Sequence, residues 1–351
     1  PHRQVIYLAS VDPTQTHLWR VPLVGGLATP LTTTPGQHHA VFSKNHSAYV
    51  HTESTPTAMP IATVCRADGT PIGQLPSVAE NPPFIPKAEL LQIGDSPSFH
   101  ACIVRPRNFD PAKRYPVIVD VYGGPHVTVV AATMRSSLMR QWLADQGFIV
   151  VALDGRGTPG RGRDWERAIS KRLGTVPLDD QVAGLKALGQ RFPEMDLDRV
   201  GITGWSFGGY LSAFAVLRRP DVYKAAVAGA PVVDWLDYDT HYTERYLGLP
   251  DTDAAAYREA SLLTYADTLN RPLLLVHGTA DDNVYFRHTL KLTDALFRAG
   301  RDFELLPLPG LTHMTPDPII KQRLGSRTAQ FFHKHLGRPL ESARLPGNSP
   351  R

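Results

Sequence analysis

Ser206 lies in Gly204-Trp205-Ser206-Phe207-Gly208-Gly209, flanked by glycine on both sides. That spacing lets a serine occupy a sharp, strained turn with its hydroxyl pushed out for nucleophilic attack. Val200-Gly201-Ile202-Thr203 before it reads as a strand, and about Gly209 to Leu217 after it as a helix, which is the context such a turn needs. The helix amino terminus, and with it the Phe207 amide, then faces a developing oxyanion. A serine hydroxyl needs a base, and the base an orienting carboxylate. Downstream, Asp281-Asp282-Asn283 follows the strand-like Leu273-Leu274-Leu275-Val276-His277. His313 follows a further strand, Phe303 to Pro307, in the loop Pro309-Gly310-Leu311-Thr312-His313. Spacing does not separate Asp281 from Asp282. His277 ends a strand and reads as a packing or loop-orienting residue, while His241, His288 and His333 have no matching placement. The chemistry expected is acyl transfer through Ser206 with His313 as base.

The elements that must position these residues begin at about residue 86. Tyr115–Val121, Phe148–Leu153, Val200–Thr203, Ala225–Ala228, Leu273–His277 and Phe303–Pro307 are short apolar runs of buried-strand type. Helical stretches around Leu138–Gln146, Leu178–Gly189 and Gly209–Leu217 alternate with them. Alternation of this kind predicts an α/β class domain with a mostly parallel, doubly wound sheet covered on both faces. The chain order serine, acid, histidine is that of an α/β-hydrolase, and it puts all three on loops at the carboxyl edge of the sheet. Before residue 86 the texture differs. Val5–Ala9 and His17–Val21, Ala40–Ser43 and Ser47–His51, and Ile61–Cys65 running to Asp68-Gly69 read as antiparallel strands and turns. Five or six such strands make about one β-propeller blade and part of another. The domain reading is therefore 1–85 as the end of a propeller, 86–340 as the catalytic domain and 341–351 as a tail, with Asn81–Pro86 as linker.

Composition excludes several classes. The chain has 351 residues, 42% hydrophobic and 20% charged, with a net charge of +4. That charge is too mild to imply nucleic acid, and the cations between Arg156 and Arg172 are interspersed with Asp164 and Glu166, as on a solvated face. No apolar run reaches the length of a membrane span. The two cysteines, Cys65 and Cys102, fall in different predicted domains, so neither a disulfide framework nor a metal site is expected. They do not decide between cytoplasm and periplasm for a soluble protein. The start at Pro1 reads as a cut through a longer protein.

Gly204–Tyr210, Tyr242-Thr243-Glu244-Arg245-Tyr246 and His277-Gly278-Thr279-Ala280-Asp281-Asp282-Asn283-Val284 together resemble the dipeptidyl peptidase IV branch of the prolyl oligopeptidase family. Val121-Tyr122-Gly123-Gly124-Pro125 and Asp154-Gly155-Arg156-Gly157 fit the same branch, and the resemblance runs through about 86–337. It implies Asp281 as triad acid, His313 as base, and Tyr122 with the Phe207 amide as oxyanion donors. Without it Tyr122 reads as an aromatic at a strand end. It also implies a proline pocket made by Val232, Trp235, Tyr238, Tyr242 and Val284, and a substrate-carbonyl contact from Asn283. An aromatic-walled apolar slot suits a flat ring; unaided, Trp235, Tyr238 and Tyr242 at helical spacing read as plain core.

The implied activity is hydrolysis after proline or alanine, releasing Xaa-Pro dipeptides from peptides with proline second, without metal or organic cofactor. A homodimer is the implied assembly. The rivals are a carboxylesterase or acylaminoacyl-type hydrolase on the same fold, and a non-catalytic binding protein. Two departures stand out. Phe207 replaces the usual tyrosine after the nucleophile. The family holds the substrate amino terminus with a pair of propeller glutamates, whereas only Glu53 and Glu80 precede residue 86 here.

Overall fold

The computed structural model describes residues 4–9, 12–337 and 340–341. The expected tail, 341–351, lies outside the described residues except for Glu341.

Among the described residues seven strands, rather than five or six, precede residue 86, and they form two antiparallel sheets. One holds β1 (Gln4–Ala9), β2 (His17–Pro22) and β3 (Thr29–Pro30); the other holds β4 (Gln37–Phe42), β5 (Ala48–Ser54), β6 (Ile61–Arg66) and β7 (Pro71–Gln74). The extra strands, β3 and β7, are short, carry proline and have exposed side chains, so they lack the alternating apolar signature of their neighbours. Leu18, Tyr49 and Cys65 form a small core of their own. The sheets meet the rest of the chain through backbone bonds from Ala132 N to Thr14 O (2.8 Å) and Met134 N to Thr55 O (2.7 Å).

The main sheet contains β8 (Ala88–Ile93), β9 (Phe99–Val104), β10 (Lys113–Asp120), β11 (Ile149–Asp154), β12 (Met195–Trp205), β13 (Tyr223–Gly229), β14 (Leu273–Gly278) and β15 (Glu304–Leu308). Their spatial order is β15-β14-β13-β12-β10-β11-β9-β8, and β16 (Leu340–Glu341) pairs with β10. All pairs from β11 through β10 to β15 are parallel, whereas β8, β9 and β16 join antiparallel. Side chains alternate between two cores. Val117, Val119, Ile149, Val151 and Leu153 enter one, and Ile118, Val150 and Ala152 the other. The first core is covered by α3 (Thr175–Arg191), α4 (Phe207–Arg218) and α7 (Arg287–Arg298), the second by α1 (Met134–Ala144) and α8 (Pro318–Leu336). Three short helices, α2 (Arg163–Arg167), α5 (Thr240–Leu247) and α6 (Ala254–Ala260), lie in the connections. This is a doubly wound α/β-hydrolase sheet, as the strand and helix alternation requires.

Two boundaries differ from expectation for identifiable reasons. The helix expected near Leu138 starts at Met134, because Thr133 caps it by accepting from Ser136 N. The helix after Ser206 starts at Phe207 instead of Gly209. The glycines that read as loop are first-turn positions pressed against backbone. Cys65 and Cys102 are free and buried in separate sheets. In the basic stretch Arg156 is no solvated cation: it clamps the buried Asp180, with Nη2 donating to Oδ1 at 2.6 Å. No helix among the described residues is long and apolar enough to cross a membrane.

Candidate active site

Ser206 ends β12 and begins α4 with φ 61° and ψ −119°, a left-handed conformation that a side chain adopts only when its surroundings impose it. Its surroundings do so. Ser206 N donates to Gly229 O at 2.9 Å, and Tyr210 N donates to Ser206 O at 2.9 Å. A Cβ on Gly204 or Gly208 would stand 2.2 or 2.1 Å from Val121 O, and one on Gly209 would stand 2.1 Å from Gly229 O. The glycines thus let the ends of β10 and β13 close around the turn. We expect Gly208→Ala to lose about 3 kcal/mol of stability through this overpacking, read as a lower urea midpoint at unchanged slope. As the first helical residue, Phe207 has an amide outside the α4 ladder, at the positive end of the helix. Ser206 is half-buried, and its Oγ makes no hydrogen bond among the described residues.

The loops after β14 and β15 meet beside this turn. Ala280 N donates to Leu311 O at 3.1 Å, and a Cβ on Gly278 would stand 2.3 Å from the same oxygen. His313 Nδ1 donates to Asp281 Oδ2 at 2.8 Å, which selects Asp281 over the exposed Asp282. Asp281 Oδ1 accepts the amides of Asn283 (3.0 Å) and Val284 (2.9 Å). Burial alone would raise the Asp281 pKa. Hydrogen bonds from His277, His313 and the Asn283 amide outweigh it and hold the carboxyl well below its usual range. Trp205 Nε1 donates to His313 O at 2.8 Å, tying the histidine loop to the residue before Ser206. The sequence placed Trp205 in the motif but offered no sign of this bond.

Trp235, Tyr238 and Tyr242 do not share one helix, despite their spacing. Trp235 opens a 3-10 turn (Trp235–Asp237), Tyr238 is extended, and Tyr242 lies in α5, whose amino terminus Asp239 caps. Their rings still converge: Trp235 lies edge-on to Tyr238 (5.8 Å) and parallel to Tyr242 (6.1 Å), and Tyr238 lies edge-on to Tyr242 (5.5 Å). Phe207 packs 5.8 Å from Trp235 and 5.9 Å from Tyr122. Val232 and Val284 are buried in the same cluster. Tyr238 Oη donates to Asn283 Oδ1 at 3.1 Å.

Burial, with Tyr238 and Tyr246 nearby, pushes the Tyr122 hydroxyl up to about 12, so it stays a protonated donor. Three residues missed in the sequence hold this wall. His288, pushed down to about 4 chiefly by burial, accepts the Val233 amide at 3.1 Å. Lys291 donates to Asp234 and, at 2.7 Å, to Asp237, fastening the 3-10 turn to α7. His126 extends the aromatic wall, with its ring 6.1 Å from Tyr242.

Comparison with known proteins decides the family. The profile of the prolyl oligopeptidase family matches residues 134–339, more than half of the chain. The chain belongs to the prolyl oligopeptidase family. Dipeptidyl peptidase 8 of Homo sapiens is 37% identical over 254 residues, covering 71% of this chain and 28% of that protein. Dipeptidyl peptidase 4 of Sus scrofa is 33% identical over 240 residues, covering 68% of this chain and 31% of that protein. The solved structure of Porphyromonas gingivalis dipeptidyl peptidase 4 matches with a TM-score of 0.87 at 32% identity. The match covers 95% of this chain and 48% of that one. This prolyl oligopeptidase family chain thus spans less than a third of these curated relatives and about half of the solved structure. The matched segment contains Ser206, Asp281 and His313, while Tyr122 precedes it.

Proposed function

We propose that the chain is the catalytic part of a serine peptidase, preceded by the end of a propeller, that cleaves after proline or sometimes alanine. In the full-length protein it would release Xaa-Pro dipeptides from free amino termini. The observation that carries this reading is the Asp281–His313 bond (2.8 Å), on loops tied through Trp205 to a strained Ser206 beside an aromatic slot.

Ser206 Oγ attacks the carbonyl carbon of the proline residue while His313 Nε2 takes the hydroxyl proton. Asp281 keeps the Nδ1–H tautomer and stabilises the imidazolium. Charge that develops on the carbonyl oxygen is met by the Phe207 amide and Tyr122 Oη, each donor contributing about 3–4 kcal/mol in comparable sites. His313 then protonates the leaving amine, and water, activated by the same imidazole, hydrolyses the acyl-enzyme. Val232, Trp235, Tyr238, Tyr242 and Val284 hold the proline ring, and Asn283 binds a substrate carbonyl. Phe207 in place of tyrosine removes a hydroxyl from the wall and leaves the backbone donor intact. Replacing Tyr122 by Phe is expected to lower kcat about 10²–10³-fold with little change in KM.

The deciding assay is release of the chromogenic amine from Gly-Pro-anilide against its N-acylated counterpart. Strong preference for the free amine supports the dipeptidyl reading. Equal cleavage of both would leave a prolyl-directed nucleophile without an amine clamp, and cleavage of neither would refute the peptidase reading. A homodimer through the catalytic domain belongs to the same reading. The unpaired edge of β15, with Leu305, Phe297 and Ile319 exposed nearby in the chain, supports it.

A further inference from the structure

His277 is fully buried at the end of β14, four residues before Asp281, and the mechanism above gives it no part. Its ring nitrogens are all engaged. Nε2 lies 2.8 Å from Val284 O and 3.2 Å from Asp281 Oδ2, and Nδ1 lies 2.7 Å from Thr289 Oγ1. The first two partners are acceptors only, so Nε2 carries a proton; in the neutral ring the Thr289 hydroxyl then donates to Nδ1. Phe286 packs edge-on against the ring at 5.6 Å, and His288, whose own pKa the neighbouring His277 helps to lower, lies on the adjoining α7.

Asp281 therefore receives four donors. Its Oδ1 takes the Asn283 and Val284 amides, and its Oδ2 takes His313 Nδ1–H and His277 Nε2–H. Val284 is held on both sides of its Cα, because its amide donates to Asp281 and its carbonyl accepts from His277. Val284 is also a wall of the proposed proline pocket. One imidazole thus aligns the carboxylate with His313 and fixes the pocket wall.

We propose that neutral His277 is a positioning residue, whose Nε2–H, shared by Asp281 Oδ2 and Val284 O, holds the oxygen that His313 uses. The proposal rests on the triad reading of Asp281 and His313. Its consequence is a balance of charge. By drawing on the carboxylate, His277 limits how strongly Asp281 stabilises the His313 imidazolium.

The test is an NMR titration of the His313 ring in the full chain, which needs no turnover. His277→Asn places its amide near Nδ1, within reach of Thr289 but short of Asp281; His277→Gln places an amide near Nε2. In His277→Asn the His313 pKa should rise by about 0.5–1 unit, and His277→Gln should return it close to wild type. The acid limb of kcat/KM should move with it, and kcat should fall about 10–100-fold. A folded His277→Asn with an unmoved His313 pKa overturns the proposal. If neither variant is recovered, ring ¹⁵N shifts in the wild type decide. The proposal requires His277 protonated on Nε2 alone throughout the His313 titration, and an Nδ1–H tautomer or a charged ring overturns it. If the wild type releases no amine, the peptidase reading fails, while the His313 titration still decides the role of His277.

Discussion

Ser206→Ala is expected to lower amine release from Gly-Pro-anilide by about 10⁶-fold, since removing a triad serine elsewhere has that effect on kcat. The variant should fold, because Ser206 is held through its backbone: its amide donates to Gly229 O and its carbonyl accepts from Tyr210 N. Loss of the side chain leaves both bonds intact. Substrate binding, read by fluorescence titration with a non-hydrolysed Xaa-Pro peptide, should stay within about threefold, because the slot depends on Trp235, Tyr238 and Tyr242. A variant that retained a tenth of wild-type release would show that attack comes from another group and would remove Ser206 from the mechanism.

The second large effect concerns Asp281→Asn, for which a fall of about 10⁴-fold in kcat is expected. The structure specifies why the amide cannot substitute. Oδ1 accepts two backbone amides, from Asn283 and Val284, so in asparagine the oxygen must stay on that side. The NH₂ group is then forced to the Oδ2 position, where it faces His313 Nδ1 and His277 Nε2, both donors in the native arrangement. His313 can accept only by moving its proton to Nε2, and that nitrogen is the one that must receive the Ser206 proton. The loss should fall in kcat with KM nearly unchanged, measured on Gly-Pro-anilide. It should ease at high pH, where hydroxide no longer needs the base. A variant within tenfold of wild type would mean that Asp281 orients a loop and not the imidazole.

Much of this was legible in the residues, and the missing parts share a cause. The elbow was visible because its demands are local: glycine where no Cβ fits, a strand before and a helix after. The parallel sheet was visible because strands buried on both faces must be apolar throughout. The proposed proline slot was legible only through a family resemblance. Spacing suggested Trp235, Tyr238 and Tyr242 on one helix, yet a 3-10 turn and an extended residue intervene before α5. What brings the rings together is Lys291 on α7 and His288 behind Val233, residues more than 45 positions downstream of that segment. No pattern within the segment could indicate them.

By itself the sequence determined the fold class and the order of the chemical groups, and it singled out Ser206 as the candidate nucleophile. Those follow from hydrophobic period, turn chemistry and chain order, each a property of neighbouring residues. It did not separate Asp281 from Asp282 by spacing, and it did not identify Trp205, His277, His288 or Lys291 as holding the site. Only the tertiary structure decided those. A hydrogen bond between a strand end and a loop more than a hundred residues apart, as between Trp205 and His313, depends on how β12 and β15 are placed in one sheet. The same holds for burial: adjacent carboxylates are chemically alike in the chain. They differ once the fold aims four donors, two of them imidazoles, at one and leaves the other in water.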